Sequence, residues 1–252
     1  MKKPPADDLV RVHKYMADRG LCSRREAERW IEEGRVLING KPARIGQKLD
    51  PAGDHVQVDG RSLGGKRTTR PLTLVMNKPK GFLCSNADPF HARTIFDLLP
   101  PNYRRERLFC AGRLDKDSEG LVVLTNNGDL ANRLTHPSSG VIKRYRVQVH
   151  KPFDRAHIPR LLQGIQYEGE VYQAIKVVPQ TKGPDLERRI EIHLDHGKKR
   201  EIRQMLLALG YHVKKLHRFQ IGNYVLKGLA PGQVKSLSER ELGLFFTHSG
   251  VR

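Results

Sequence analysis

Apolar positions recur along this chain with two different periods. Near the amino terminus Val12, Tyr15 and Met16 fall on one face of a short helix that Gly20 can stop. Ala27, Trp30 and Ile31 share one face of a second helix, which Ser23 opens, with Glu26 three residues later at the spacing of a capping box, and Gly34 ends. The period then drops to two. Val36-Leu37-Ile38 before Asn39-Gly40, and His55-Val56-Gln57-Val58 before Asp59-Gly60, read as short strands ending in tight turns. Residues 8–63 are thus predicted to form one small unit, a helix pair followed by hairpins.

Neither period continues through Gly64-Gly65-Lys66-Arg67-Thr68-Thr69-Arg70. This glycine-led, polar and basic run marks residues 64–70 as a linker about which two domains move relative to each other. Residues 71–245 then alternate irregularly between the periods. Strands are expected at Leu72 to Met76, Leu121 to Thr125, Tyr145 to Val149, Arg189 to Leu194 and Phe219 to Leu226. Helices are expected from Asp154 to Gln163, stopped by Gly164, and from Glu201 to Leu209, stopped by Gly210. The pattern is α+β, without a regular βαβ repeat and without a dinucleotide-binding or Walker fingerprint.

Charge changes the picture by naming the kind of partner. In 252 residues, 46 Lys and Arg stand against 27 Asp and Glu, a net +19. That surplus asks for a polyanion, and because the basic residues are spread through folded-looking segments rather than one amphipathic tail, nucleic acid is favoured over a membrane surface. Cys22, Cys84 and Cys110 show no paired spacing, which argues against a disulfide framework or a zinc knuckle and for reduced thiols. No run of about 18 apolar residues occurs and no apolar segment follows the basic Met1-Lys2-Lys3, so the cytoplasm is the expected compartment.

Candidate chemistry concentrates where a polar loop feeds an apolar strand, at Gly112-Arg113-Leu114-Asp115-Lys116-Asp117-Ser118-Glu119-Gly120-Leu121-Val122-Val123-Leu124-Thr125-Asn126. An Asp-rich loop bounded by glycine is often a plain turn. A calcium loop is a second reading, since Asp115, Asp117, Glu119 and Gly120 occupy the first, third, fifth and sixth places of an EF-hand. It fails at the twelfth, where Asn126 stands in place of a bidentate Glu, and at the strand-like Leu-Val-Val-Leu where a helix should follow.

The same stretch resembles the signature of the S4-domain pseudouridine synthases of bacterial ribosomal RNA: Gly-Arg-Leu-Asp, a Thr or Ser three residues on, then Gly-Leu and an apolar run ending in Thr-Asn. Ser118 takes the Thr/Ser place and Asn127 stands where Asp is more usual. Further matches follow in family order at Lys143-Arg144-Tyr145-Arg146-Val147 and from Gly197 to Met205, while residues 34–40 match the Gly-x-Val-x-Ile-Asn-Gly pattern of an S4 RNA-binding domain. The resemblance covers nearly the whole chain. It implies a small S4-type RNA-binding domain joined to a larger catalytic domain with a mixed, mostly antiparallel sheet and a cleft on one face.

Residue by residue, the resemblance implies a catalytic Asp115, an Arg203 that pairs with it, a Tyr145 ring against the target uracil, Ile202 packed at the base and Arg113 filling the space the flipped base leaves. Arg200 shares a polar helix face with Arg203 and joins the substrate-binding set. A carboxylate in a closed cleft stays ionised only with a cation close by, which is the physical case for Arg203. In the first unit Arg11, Lys14, Arg24, Arg25 and Arg29 are expected to line an RNA backbone. Arg24 and Arg25 sit in a first helical turn, where the dipole disfavours cations, and a rule broken locally points to function.

Uridine isomerisation consumes no redox equivalent, energy or water, so no cofactor and no metal are expected. The partner implied is ribosomal RNA or a pre-ribosomal particle, with the protein acting as a monomer. The segment Lys227 to Gly232 looks closer to the large-subunit branch of the family. The competing class is a non-catalytic S4 protein bound to ribosomes, whose simplest forms need only about the first 70 residues, and synthases acting on small-subunit RNA or tRNA are the nearer alternatives.

Overall fold

In a computed structural model that describes residues 9–64, 70–86, 93–180 and 186–246, the chain divides into two compact units, Met1–Arg70 and Pro71–Arg252. Most of the expected linker and residues 1–8 lie outside the described residues. The first unit runs β1 (Val10–Arg11), α1 (Val12–Asp18), α2 (Arg24–Glu32), β2 (Val36–Ile38), β3 (Lys41–Pro42), β4 (Lys48–Leu49), β5 (Val56–Val58) and β6 (Arg61–Ser62). Strands are ordered β3-β2-β5-β6 in one antiparallel sheet, and β1 pairs with β4. Val12, Met16, Ala27, Val36 and Val56 close its core completely. Ser23 and Glu26 form the reciprocal cap that their spacing predicts.

The second unit contains β7 (Thr73–Lys78), α3 (Pro101–Arg104), β8 (Phe109–Cys110), β9 (Glu119–Thr125), α4 (Gly128–Thr135), β10 (Lys143–Val149), α5 (Ile158–Gln163), β11 (Ile165–Tyr167), β12 (Glu170–Tyr172), β13 (Lys176–Pro179), β14 (Arg189–Leu194), α6 (Glu201–Leu207), β15 (Val213–Ile221), β16 (Tyr224–Val225), β17 (Val234–Ser236) and α7 (Glu239–Gly243). A nine-stranded sheet follows the order β13-β14-β10-β15-β9-β7-β17, with β16 and β8 added at β15 and β9. The strands pair antiparallel except β9 with β15, which run parallel through His217 opposite Glu119 and Arg218 opposite Gly120. The sheet is mixed and mostly antiparallel.

Apolar clusters cover both faces of β7 and β9. Leu74, Met76, Val122 and Leu124 enter one cluster, while Val75, Leu121 and Val123 enter another. This explains why the segment after Gly120 is continuously apolar rather than alternating. Tyr145, Val147 and Val149 of β10 are buried in alternation on the first of these faces.

Three expected elements differ in detail. The helix read from Asp154 opens as a single tight turn over Arg155–His157, capped by the Asp154 carboxylate on the Ala156 N–H, before α5 starts with Pro159 in its first turn. The helix from Glu201 closes earlier, at Leu207. The strand read from Phe219 to Leu226 is two strands, because Gly222 turns the chain at φ +55° where a Cβ would collide with the Phe245 carbonyl. Helix α4 has no counterpart in the sequence reading. Asn127 caps it, its side-chain oxygen accepting from the N–H groups of Asp129 and Leu130 at 3.1 Å each, so Asn in place of Asp keeps the cap.

Candidate active site

The turn carrying Asp115 leaves β8 and enters β9, and the backbone carbonyls of residues 115–118 each have a partner. Asp115 O accepts from Ser118 N at 3.1 Å, Lys116 O from Gly81 N at 2.7 Å, Asp117 O from Arg203 Nη2 at 3.1 Å and Ser118 O from Lys78 Nζ at 2.7 Å. Lys78 ends β7 fully buried, and burial lowers its pKa, the charges of Cys84, Asp117, Asp115 and Glu119 acting the other way. Its ammonium also reaches the carbonyls of Pro79 at 3.2 Å and Lys116 at 3.4 Å. Sequence reasoning missed Lys78. The signal was there, a lysine closing a strand with the apolar run Leu74-Val75-Met76 at its centre, a place where a charge persists only if its partners are fixed.

Gly120 ends the turn at φ +105° with its Cα facing the Arg218 backbone of the parallel strand, where a Cβ would overlap the Arg218 carbonyl. The glycine of the signature therefore lets β9 and β15 approach. Through that close approach the loop is joined to the strand that pairs with β10, since Tyr145 is the cross-strand partner of Arg218.

Two arginines close the other side. Arg200, immediately before α6, holds a left-handed backbone at φ 54°, ψ 25°. For a residue other than glycine this conformation costs energy and persists where neighbours over-determine it. The adjoining Glu201 is buried, its Oε2 accepting from Lys198 N and from the His196 ring, both at 3.0 Å. Arg200 Nη1 lies 3.8 Å from Asp115 Oδ2 and 3.5 Å from Asp117 Oδ1. Arg203 Nε lies 4.0 Å from Asp115 Oδ2, whereas its Nη2 lies 3.2 Å from Asp117 Oδ2 and 3.3 Å from Ser118 Oγ.

The structure thus brings Asp115 and Arg203 together but reverses which of them is buried. The Asp115 side chain is 32% exposed and that of Arg203 only 11%. Burial pushes the Arg203 pKa down, with Asp117 the larger and Asp115 the smaller of the acids acting against it. Asp117, absent from the site residues expected from sequence, is thus the closer partner of the buried cation, and Asp115 is left with one face toward open space. The calcium-loop reading fails here too, since Asp115 and Asp117 turn to arginines and Glu119 heads β9 with Lys215 3.5 Å away. Among the described residues no group of three or more His, Cys, Asp or Glu side chains is arranged to hold a metal.

Asp115, Arg113, Tyr145, Arg200, Ile202 and a wall of the 112–118 turn line one cavity of about 1170 Å³. Tyr145 and Ile202 are buried in its floor and Arg113 is exposed at its rim. In the first unit the five basic candidates fall into two groups. Lys14 pairs with Asp18 at 2.7 Å, and Arg29 pairs with Glu33 at 3.6 Å and Glu26 at 4.0 Å, each along its own helix. Arg11, Arg24 and Arg25 are exposed, and no ion pair of theirs is found among the described residues. Arg24 and Arg11 lie near enough to His13 for their charges to help burial depress its pKa against the pull of Glu28.

A basic two-unit chain with a carboxylate on the wall of an aromatic-floored cavity roomy enough for a nucleotide fits the class of enzymes that work on RNA. Residues 72–208 match the RNA pseudouridylate synthase family and residues 10–56 match the S4 domain. The chain is 39% identical to the dual-specificity RNA pseudouridine synthase RluF of Escherichia coli (strain K12), covering 94% of this chain and 78% of that protein. It is 35% identical to the ribosomal large subunit pseudouridine synthase B of Haemophilus influenzae, over 92% of this chain and 69% of that one. A crystal structure of a pseudouridylate synthase superposes with a TM-score of 0.67 at 28% identity, covering 94% of this chain and 99% of the other. The protein belongs to the RNA pseudouridylate synthase family and is an RNA pseudouridine synthase of the S4-domain kind.

Proposed function

We propose that the protein isomerises uridine to pseudouridine at defined positions of ribosomal RNA, with Asp115 as the carboxylate that meets the ribose of the flipped nucleotide. The observation that carries this reading is the half-exposed Asp115 carboxylate at the wall of a cavity floored by Tyr145 and Ile202, on a turn whose carbonyls from Asp115 to Ser118 are held. A pre-set carboxylate beside the anomeric carbon supplies either a nucleophile or a charge partner for the cationic transition state. Arg200 and Arg203 orient it. Tyr145 offers a stacking surface for the base, Ile202 excludes water beneath it, and Arg113 is free at the rim to occupy the space left in the RNA.

The exposed Arg11, Arg24 and Arg25 support a phosphate-binding role for the first unit. Large-subunit RNA is favoured by the Lys227 to Gly232 segment and by the name of the Haemophilus relative. The reaction needs no redox partner or energy source, and we place the protein as a cofactor-free monomer on ribosomal RNA in the cytoplasm. Among the described residues no helix is long and apolar enough to cross a membrane.

The test is Asp115→Asn, assayed on ribosomal RNA from cells lacking the protein. Pseudouridine formation should fall by several orders of magnitude while RNA affinity is kept, because an amide carries no charge to the sugar. Product at a near wild-type rate would remove Asp115 from the mechanism.

A further inference from the structure

We propose that Lys143 and Arg218, buried side by side on the cavity floor next to Tyr145, form a cationic subsite for the uracil anion released when the N1–C1′ bond breaks. The proposal rests on the uridine isomerisation argued above. Lys143 and Tyr145 are two residues apart on β10 and so share a face. Arg218 is the cross-strand partner of Tyr145 on β15 and shares that face too. All three line the cavity, with Lys143 8% and Arg218 4% exposed.

Neither cation has an ion-pair partner among the described residues. Lys143 Nζ donates to the Asp195 carbonyl at 3.1 Å, and Arg218 Nε to the Leu121 carbonyl at 2.8 Å. Arg218 Nη2 is buried with no hydrogen-bond partner. Burial and the charge of Arg218 together bring the Lys143 pKa down to about 8, against a weaker upward pull from Asp195 and Glu201. Two like charges held close, with no acid in ion-pair contact among the described residues, make an unfavourable arrangement in a protein interior. A fold keeps such an arrangement where a negative charge arrives during function.

The chemistry supplies one. Heterolysis of N1–C1′ leaves the electron pair on the base, spread over N1, O2 and O4, while C1′ is met by the Asp115 carboxylate. After the base turns, C5 bonds to C1′ and frees the Asp115 carboxylate, the C5 proton leaves and N1 takes a proton, so atoms and electrons balance with no co-reactant. A field fixed before the reaction stabilises the charge that forms, and does so more in the transition state than in bound uridine. A backbone phosphate is the other anion available, but it carries its charge on hydrated oxygens and needs donors it can reach. Arg218 Nη2 is shielded from solvent, whereas exposed cations such as Arg113 and Arg200 stand at the rim for that task.

The experiment measures single-turnover loss of the N-glycosidic nucleoside in one rRNA fragment carrying uridine or 5-fluorouridine at the target. Wild type, Lys143→Met, Lys143→Arg and Arg218→Gln are compared, with RNA affinity measured for each. Lys143→Met and Arg218→Gln should slow loss of uridine by about 10² to 10³-fold, the range seen when one preorganised donor is removed. RNA affinity should be unchanged, and Lys143→Arg should recover most of the rate. Fluorine at C5 makes the base a better leaving group, so it should speed the two slowed variants by a larger factor than wild type. Equal acceleration of all variants, or weakened RNA binding with an unchanged saturated rate, would overturn the uracil-anion assignment, the second result showing a phosphate subsite. If Arg218→Gln fails to fold, seen as lost RNA binding and a lost thermal transition, the Lys143 pair carries the test alone. Failure of wild type itself to form pseudouridine would instead refute the parent reading.

Discussion

The helix pair of the first unit and the Asp115 turn of the second use positive charge in opposite ways. On α2 Arg24, Arg25 and Arg29 are exposed, and on α1 and α2 Lys14 and Arg29 pair with acids of their own helix. Behind the Asp115 turn two cations are buried or half-buried and hold backbone: Lys78 takes the Ser118 carbonyl and Arg203 the Asp117 carbonyl. An exposed arginine can follow a phosphate wherever the RNA presents it. A carboxylate that must meet one carbon atom needs its backbone fixed to a fraction of an ångström. Affinity and chemistry thus draw on the same residue types in two different states of solvation.

The largest effect that sharpens this contrast should come from Lys78→Met. Met fills the same space without a donor, leaving the Ser118 carbonyl unpaired while Gly81 N still serves Lys116. A carbonyl left buried without a partner costs about 1–3 kcal/mol, and a shift of about 1 Å in the reacting group costs about 10²-fold in rate. Urea unfolding and single-turnover assays should both register the loss. Wild-type turnover in this variant would show that the turn holds Asp115 without its buried lysine.

Next in size is a difference between two acids that look equivalent in the sequence. Asp117→Asn removes the closer carboxylate, 3.2 Å from the half-buried Arg203, and should cost more than the roughly 0.2–1 kcal/mol of a fully exposed ion pair. Glu119→Gln breaks the ion pair with the exposed Lys215 and should cost under about 1 kcal/mol. Similar losses in chemical denaturation and in kcat for both variants would refute the assignment of Asp117 as Arg203's partner.

That difference marks where the sequence stopped being legible. The capping box at Ser23, the alternation in β10 and the polar loop feeding β9 depend on neighbours within a few residues, and each is readable from the chain alone. The resemblance to a known family brought together Asp115, Tyr145 and Arg203, which lie on three separate elements. What stayed hidden were relations across the sheet: Lys78 reaching 40 residues along the chain to Ser118, Arg218 lying opposite Tyr145, and Gly120 making room for β15. A buried lysine and a surface lysine are the same letter, and periodicity tells them apart only when the surrounding strand is uniformly apolar.

A pH experiment probes the buried cations from the side of stability. With its folded pKa lowered to about 8 from 10.5, Lys143 binds its proton less readily in the folded than in the unfolded chain. Unfolding then takes up protons between about pH 8 and 10.5, so the contribution of Lys143 to stability rises with pH across that window. Lys143→Met removes the penalty. The variant should therefore be more stable than wild type at pH 7, and the advantage should fade between about pH 8 and 10.5, as followed by urea midpoints at several pH values. A stability difference that does not change over that range would show that the Lys143 charge is well accommodated, and would weaken the case for an anion arriving beside it.

The smallest effect lies on the helix pair and concerns which arginines meet RNA. Arg24 and Arg25 are exposed in the first turn of α2, where the helix dipole disfavours a cation by about 0.3–1 kcal/mol, whereas Arg29 lies in the last turn and already pairs with Glu33 and Glu26. If the first two meet phosphates, replacing both by Gln should flatten the dependence of log affinity on log salt by about 0.7 to 0.9 for each phosphate no longer neutralised. The same change at Arg29 should leave the slope nearly unaltered, because its charge is already balanced by acids on the helix. Saturated turnover should match wild type in all these variants, since none touches the cavity in the second unit. Equal slopes for the Arg24, Arg25 and Arg29 variants would mean that pairing within the helix does not decide which cations reach RNA, and the contrast between the two regions would then rest on the Asp115 turn alone.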